Sequence, residues 1–169
     1  MERYTIAILV QNQFGVLNRV TSMFRRRRFN IASLTVSETE SPDYSRITVL
    51  FDGEESTKQQ LINQFYKLPD VISIKELQSD KSVTAELLLI KVENSPESRE
   101  EIRSAADAFH AKTVDYARES IVLQVTGDSR EIDAFINIMR DFNILEICRT
   151  GIVSLERGDT TIRKENNLI

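Results

Sequence analysis

The segment Asn12-Gln13-Phe14-Gly15-Val16-Leu17 is the part of the chain whose residue types best suit ligand binding. It joins a strand-like pattern to the first apolar residues of a helical one. Backbone N–H groups at a helix start, here near Gly15 to Leu17, lack intrahelical acceptors and can bind a carboxylate. Asn12 offers both a carbonyl acceptor and an amide donor. The segment therefore predicts a site for a small anion, and the alternative is a plain turn in which Gly15 supplies an unusual backbone angle.

Residues suited to catalysis are sparse. The chain has one histidine, His110, one cysteine, Cys148, and no tryptophan. His110 falls at the end of a predicted helix, which favours a capping or solvated role. Cys148 lies in an apolar strand pattern and is predicted to be a small buried hydrophobe. No spacing resembles a metal site or a glycine-rich phosphate loop, so the sequence predicts no catalytic residue and no metal ligand.

Four consecutive arginines, Arg25 to Arg28, close the first predicted helix. One interpretation is a surface for an anionic ligand or an acidic partner. The other is a solvated last helical turn, where cations complement the helix dipole. Adjacent helical positions point in about four directions, so the four side chains cannot all bind one ligand.

The composition limits the classes of partner. The 169 residues carry a net charge of −4, which argues against bulk nucleic-acid binding. No apolar run approaches the roughly 20 residues that cross a bilayer, and the N-terminus leads directly into a strand pattern without a secretory signal. We expect a cytoplasmic protein, and one cysteine permits no disulfide within the chain.

Periodicity predicts the order β-α-β-β-α-β twice. The expected strands are residues 4–10, 31–39, 45–51, 71–77, 85–92, 111–117, 121–126 and 144–155, the last bent at Gly151. Ser56 and the Ser95-Pro96-Glu97 run are expected to start helices. The fold class is therefore α+β, with two tandem ferredoxin-like domains whose antiparallel sheets carry helices on one face. We expect domains at 1–78 and 79–160 and a polar tail at 161–169.

Strand 1 is apolar on both faces, because Ile6, Ile8 and Val10 alternate with Ala7 and Leu9. A sheet covered by helices on one face only would leave Ala7 and Leu9 exposed. We therefore expect this sheet to pair with a second copy of the chain.

The run from Asn12 to Val36 closely resembles the small, regulatory subunit of acetohydroxyacid synthase (acetolactate synthase), a family that opens with an ACT domain. The shared pieces are N-x-x-G-V-L, the R-V…F of helix 1, F-N-I, S-L-T-V and Ser45-Arg46-Ile47-Thr48, with further likeness at 67–71 and 144–159. N-x-x-G-V-L alone indicates only an ACT domain. Its combination with F-N-I-x-S-L-T-V is much more specific.

The resemblance implies a non-catalytic subunit of branched-chain amino acid biosynthesis that activates a catalytic large subunit and confers feedback inhibition by valine. Thiamine diphosphate, Mg²⁺ and FAD are expected on that large subunit, and no cofactor on this chain. Two ACT domains would form a homodimer and bind valine between them. On the matching positions, one chain would contribute Asn12, Gly15, Val16 and Leu17, and the other Asn30 and Ile31.

One departure concerns the second half of that site. The family usually has glycine before the aromatic residue of F-N-I, and here Arg28 stands there. Either Arg28 adopts a strained left-handed conformation or the helix ends differently, and both outcomes are expected to move Asn30. An alternative function is an ACT-type amino-acid-binding module that serves another enzyme or a transcription regulator. A nucleic-acid-binding pair of domains is disfavoured, because the central strands lack closely spaced stacking aromatics.

Overall fold

Two β-α-β-β-α-β units follow one another in the computed structural model, which describes residues 2–26 and 29–163. The predicted fold class is confirmed. The elements are β1 Glu2–Gln11, α1 Val16–Arg26, β2 Ile31–Glu38, β3 Tyr44–Gly53, α2 Glu55–Phe65, β4 Val71–Glu76, β5 Ser82–Glu93, α3 Arg99–Ala108, β6 Lys112–Tyr116, β7 Ser120–Gly127, α4 Ser129–Met139, β8 Ile144–Arg149 and β9 Val153–Glu156.

The first unit is built on an antiparallel sheet with strand order β2-β3-β1-β4. Alternation along β1 turns Ile6, Ile8 and Val10 to the helical face, where they are at most 2% exposed. Helix α1 places Val16, Val20 and Phe24 on the same core at a spacing of four residues. The order leaves β2 at one edge of the sheet, with β3 between it and β1, and the Glu38 end of β2 lies at the same end of the sheet as the Asn12 turn.

The end of α1 shows a bond typical of a tightly capped helix. The amide of Phe29 donates to the carbonyl of Phe24, five residues back, at 3.1 Å. The two rings also pack edge to face, with centroids 6.2 Å apart. Arg27 and Arg28 lie outside the described residues, so the effect of arginine at position 28 stays a prediction.

The second unit repeats the topology with strand order β6-β7-β5-β8. Helix α4 starts with a capping box, in which Asp128 accepts from two backbone amides and Glu131 bonds back to the Asp128 amide. Helix α3 ends with His110 in the left-handed region, at φ 53°, so the prediction of a capping position for His110 is confirmed. Cys148, however, is exposed. The prediction of burial is wrong because β8 is an edge strand and Cys148, paired with Leu89, faces away from the helices.

The chain divides at places that differ from the predicted boundaries of 78 and 160. Of the described residues, one compact unit takes in those up to Thr84 and those from Ile152 to Arg163, and the other runs from Ala85 to Gly151. Gly151, at φ 78°, separates β8 from β9, so the single last strand expected from residues 144–155 is in fact two strands. Strand β9 pairs with β5, whose first three residues belong to the first unit.

The segment Ile152–Arg163 lies against the non-helical face of the first sheet. Ser33 accepts a hydrogen bond from the Ile152 amide, and Arg46 donates to the Ser154 carbonyl at 2.7 Å. Lys75 forms an ion pair with Glu156. A cleft of about 450 Å³ remains beside this segment, with Leu9 and Leu155 in its wall.

This segment changes the interpretation of strand 1. Ala7 and Leu9, on the non-helical face, are at most 2% exposed within one chain. The apolar second face therefore gives no reason to expect a second copy there, since residues of the same chain bury it.

Among the described residues, no helix is long and apolar enough to span a membrane.

Candidate functional site

The turn between β1 and α1 combines a left-handed glycine with backbone amides at a helix start. Gly15 adopts φ +82°, a left-handed conformation that glycine reaches without strain. The amide of Val16 donates to the Gln13 carbonyl, at 3.3 Å. Across residues 2–26 and 29–163, the amides of Gly15 and Leu17 have no hydrogen-bond acceptor. These two N–H groups lie at the start of α1, where the helix dipole favours an anion.

Asn12 is fastened to the loop that joins β2 and β3. Its backbone amide donates to the Asp43 carbonyl at 2.7 Å. Its side-chain Nδ2 donates to the Pro42 carbonyl at 2.9 Å and to Glu38 Oε1 at 3.1 Å. Both side-chain N–H groups are thus engaged within the chain. Oδ1 accepts no hydrogen bond from the described residues, so the group of Asn12 that stays available is an acceptor, which suits an ammonium.

The second unit contains an equivalent asparagine that was not among the predicted site residues. Asn94 follows β5 as Asn12 follows β1. Its amide donates to the Glu119 carbonyl, and its Nδ2 donates to the Ala117 carbonyl at 2.8 Å. Its Oδ1, however, accepts from Arg99 Nε at 2.9 Å, and Asn94 is only 3% exposed. The side-chain oxygen of this asparagine is therefore occupied by an arginine of the same chain in the second unit, whereas the equivalent oxygen in the first unit is open.

Arg19 and Asp70 support the turn from its other side, and neither was predicted as a functional residue. Arg19 Nε donates to Asp70 Oδ2 at 2.6 Å, and the Asp70 carbonyl accepts from the Gln11 amide at 2.8 Å. Arg19 Nη1 lies 3.4 Å from where a Cβ on Gly15 would stand. The sequence feature that could have indicated Arg19 is its position one helical turn after Gly15.

The apolar side chains of the turn point in different directions. Val16 is 3% exposed and packs in the core, so only its backbone is available to a ligand. Leu17 is 43% exposed, and Phe14 is fully exposed. An aliphatic wall at this turn therefore comes from Leu17, and Phe14 has no cover from the described residues.

Asn30 and Ile31 lie far from the turn within one chain. Gln11 pairs with Tyr44 at one end of β3, and Ile31 pairs with Phe51 near the other. Seven positions at about 3.3 Å per residue separate these ends by about 23 Å. Asn30 is exposed, and Ile31 is partly buried against the core. One chain therefore brings Asn12, Gly15 and Leu17 together but not Asn30 and Ile31.

The first two residues of the arginine run lie at the end of α1, as predicted. Arg25 and Arg26 occupy the last turn of the helix and are exposed. This position favours the solvated, dipole-complementing role for these two residues. Arg27 and Arg28 lie outside the described residues.

The first unit has the β-α-β-β-α-β topology that the sequence resemblance predicts for an ACT domain, with a left-handed glycine in the β1–α1 turn. Comparison with known proteins agrees, since residues 6–73 match the family described as AHAS small subunit-like ACT domain. Residues 85–158 match the family described as small subunit of acetolactate synthase. The chain belongs to the family of acetolactate synthase small subunits.

Individual relatives cover nearly the whole chain. A probable acetolactate synthase small subunit of Archaeoglobus fulgidus is 45% identical over 157 residues, which are 93% of this chain and 98% of the relative. The acetolactate synthase small subunit of Bacillus subtilis is 41% identical over 165 residues, 97% of this chain and 96% of that one. The crystal structure of the acetolactate synthase small subunit from Thermotoga maritima superimposes with a TM-score of 0.88 at 34% identity, covering 95% of this chain and 100% of that chain.

Proposed function

We propose that the chain is the regulatory, non-catalytic subunit of acetolactate synthase, and that it activates the catalytic subunit and confers feedback inhibition by valine. The observation that carries the proposal is the open turn, in which Asn12 Oδ1 and the amides of Gly15 and Leu17 are without partners among the described residues. An acceptor beside two donors at a helix start suits the two charged groups of an amino acid.

The ligand chemistry follows from these groups. The α-carboxylate accepts from the amides of Gly15 and Leu17, where the helix dipole adds roughly 0.3–1 kcal/mol. The α-ammonium donates to Asn12 Oδ1. The bond from Arg99 to Asn94 in the second unit supports this assignment, because it shows a cation on the same asparagine oxygen in the same local geometry. Leu17 offers an aliphatic surface to the isopropyl group of valine.

A second copy completes the site in this proposal. Strand β2 is an edge of its sheet, and two identical edge strands related by a two-fold axis pair antiparallel. With the axis between Leu34 and Thr35, Glu38 of one chain stands opposite Ile31 of the other. Since Asn12 is hydrogen-bonded to Glu38, the turn of one chain then lies beside the second chain's Asn30 and Ile31. Such a homodimer unites the half-sites that one chain keeps about 23 Å apart.

Regulation in this proposal is a linked equilibrium. Valine bound between two ACT domains favours one arrangement of the dimer over another, and it inhibits only if the catalytic subunit distinguishes the two arrangements. The catalytic subunit, with its thiamine diphosphate, Mg²⁺ and FAD, performs the chemistry in the cytoplasm. The small subunit contributes no catalytic group.

Reconstitution tests this function. The purified chain is added to the acetolactate synthase catalytic subunit of the same organism, and acetolactate formation is measured with and without valine. We expect the chain to raise the rate and valine to reverse the increase. The Asn12→Ala and Gly15→Asp variants should activate equally but resist valine. Failure of the wild type to activate would refute the proposed function, and full valine sensitivity of both variants would refute the proposed site.

A further inference from the structure

We propose that Arg163 is a positioning residue of the amino-acid site, acting through the β2–β3 hairpin that holds Asn12. The inference rests on the proposed function of the turn as a valine site. The relevant hairpin is residues 39–43, between β2 and β3. Asn12 is fastened to one side of it, and Arg163 contacts its other residues.

Arg163 makes three contacts with this hairpin and the residue that follows it. Its Nη1 lies 2.7 Å from Glu40 Oε1, and its Nη2 donates to Thr39 Oγ1 at 3.4 Å. Its guanidinium carbon stands 5.2 Å from the centroid of the Tyr44 ring, within reach of a cation–π interaction. A planar group with donors on two sides suits such a three-part contact better than an ammonium does.

The hairpin transmits this restraint to the turn. The Thr39 amide donates a hydrogen bond to the Tyr44 carbonyl at 3.0 Å. Thr39 Oγ1 is also hydrogen-bonded to the carbonyls of Ser41 and Tyr44 and to the Ser41 amide. The hairpin carbonyls of Pro42 and Asp43 receive the side-chain and backbone amides of Asn12. A shift of the hairpin therefore moves both carbonyls that hold Asn12, and with them the direction of Asn12 Oδ1.

The segment that leads to Arg163 is attached to the first sheet. Ile152, Ser154 and Glu156 attach this segment to the sheet through Ser33, Arg46 and Lys75 respectively. Burial lowers the pKa of the Arg46 guanidinium from its ordinary value, in keeping with its enclosed position below the segment. Arg163 lies seven residues beyond Glu156, where β9 ends, and contacts the hairpin through its own side chain.

The expected effect is modest, because Arg163 is about one-third exposed and Glu40 is largely exposed. Exposed ion pairs contribute little individually. Loss of the three contacts together should raise the dissociation constant for valine about three- to tenfold. The effect should be smaller in a Glu40→Gln background, because the two residues act on the same hairpin.

The test combines a ligand-free and a ligand-bound measurement on the full chain. In the Arg163→Met variant, hydrogen exchange of the Asn12 amide should be faster without valine, whereas the amides of β4 should exchange as in the wild type. Calorimetric titration with valine should show weaker binding. Arg163→Lys should restore part of both effects, and Arg103→Met, which changes an exposed arginine of α3, should alter neither.

The outcomes separate the two proposals. Unchanged exchange at Asn12 in Arg163→Met would overturn the positioning role, whether or not valine binds. Faster exchange with unchanged valine affinity would also overturn it as a role in the site. Absence of valine binding by the wild type would refute the proposed function, and the exchange measurement would still decide whether Arg163 positions Asn12.

Discussion

Asn12 and Asn30 lie at opposite ends of the first sheet of one chain, about 23 Å apart along β3. No single ligand of amino-acid size reaches both side chains from one protomer. If both residues contact the same valine, Asn12 must come from one copy of the chain and Asn30 from another. Whether the two halves of one valine site come from different chains can therefore be measured.

Mixing two defective variants tests that sharing. Asn12→Ala and Asn30→Ala homodimers should each bind valine poorly, because every site lacks one half. Refolded or exchanged together in equal amounts, about half of the dimers are mixed, and each has one intact and one doubly defective site. Valine binding should therefore recover to about a quarter of the wild-type capacity, as measured by equilibrium dialysis.

The control for this experiment is an Asn12→Ala,Asn30→Ala double variant mixed with the wild type. Its mixed dimers have no intact site, so about a quarter of the capacity should remain, from the wild-type dimers alone. If the two single variants recover no binding when mixed, although heterodimers form, the half-sites are not shared between chains.

The two equivalent asparagines should respond oppositely to alanine. Asn94 is buried and makes bonds with Ala117 and Arg99, so Asn94→Ala should reduce the free energy of unfolding by about 2–3 kcal/mol. It should leave the valine dissociation constant unchanged. Exposed Asn12→Ala should cost about 1 kcal/mol or less but abolish valine binding. Urea denaturation and calorimetry of the two variants measure both quantities, and loss of valine binding in Asn94→Ala alone would contradict the assignment.

Two substitutions at Gly15 separate backbone strain from charge. Any side chain at φ +82° costs roughly 1–2 kcal/mol, so Gly15→Ala should lower stability and weaken valine binding moderately. Gly15→Asp adds the same strain and a carboxylate at the proposed position of the ligand carboxylate. It should abolish valine binding at a similar stability. Equal valine affinities for the two variants would show that no anion binds at this helix start.

A buried carboxylate in the second unit predicts a stability effect without a regulatory one. Glu86 is 4% exposed and is paired with Arg149, whose Nη2 lies 2.6 Å from Glu86 Oε2. Arg149→Met leaves this charge unpaired and should reduce the free energy of unfolding by about 2 kcal/mol, less than a fully buried pair would lose, because Arg149 is one-third exposed. Arg130→Met, at an exposed position on α4, is the matched control and should change stability by less than about 0.5 kcal/mol.

Valine selectivity should be incomplete. Leucine and isoleucine carry the same charged groups and one more methylene, which is worth roughly 1–3 kcal/mol in an aliphatic pocket. Both should compete with valine in a displacement titration, with weaker affinities. Binding of leucine or isoleucine tighter than that of valine would mean that the aliphatic wall beside Leu17 is larger than proposed.

The sequence predicted the elements well where periodicity was strong. Helix α1 starts at Val16, as its apolar spacing indicated, and the strand order within each unit was implied by the β-α-β-β-α-β pattern. Helix starts were less accurate. Ser56 lies inside α2, which begins at Glu55. Ser95 accepts from the Ser98 amide in the turn before α3, which begins only at Arg99. Both segments contain several polar residues that can cap a helix, so residue preference alone did not identify the position at which the helix begins.

Local sequence patterns did not show where the chain returns to pack on a distant part of the fold. Nothing in the residue pattern near Ile152 indicates that the chain leaves one unit and lies on the sheet of the other sequence half. For the same reason, the burial of Ala7 and Leu9 was attributed to a second copy. Asn94 was missed because the halves share little identity, although Val-Gln-Asn and Val-Glu-Asn end their first strands alike. Only the hydrogen-bond partners reveal that Asn12 is open and Asn94 closed.

Calorimetric titration of the purified wild-type chain and its Asn12→Ala and Asn94→Ala variants with valine tests the central claim most directly. We predict saturable binding of one valine per chain for the wild type and for Asn94→Ala, and none for Asn12→Ala. The contradictory result is the absence of saturable binding by the wild type, or wild-type affinity in Asn12→Ala.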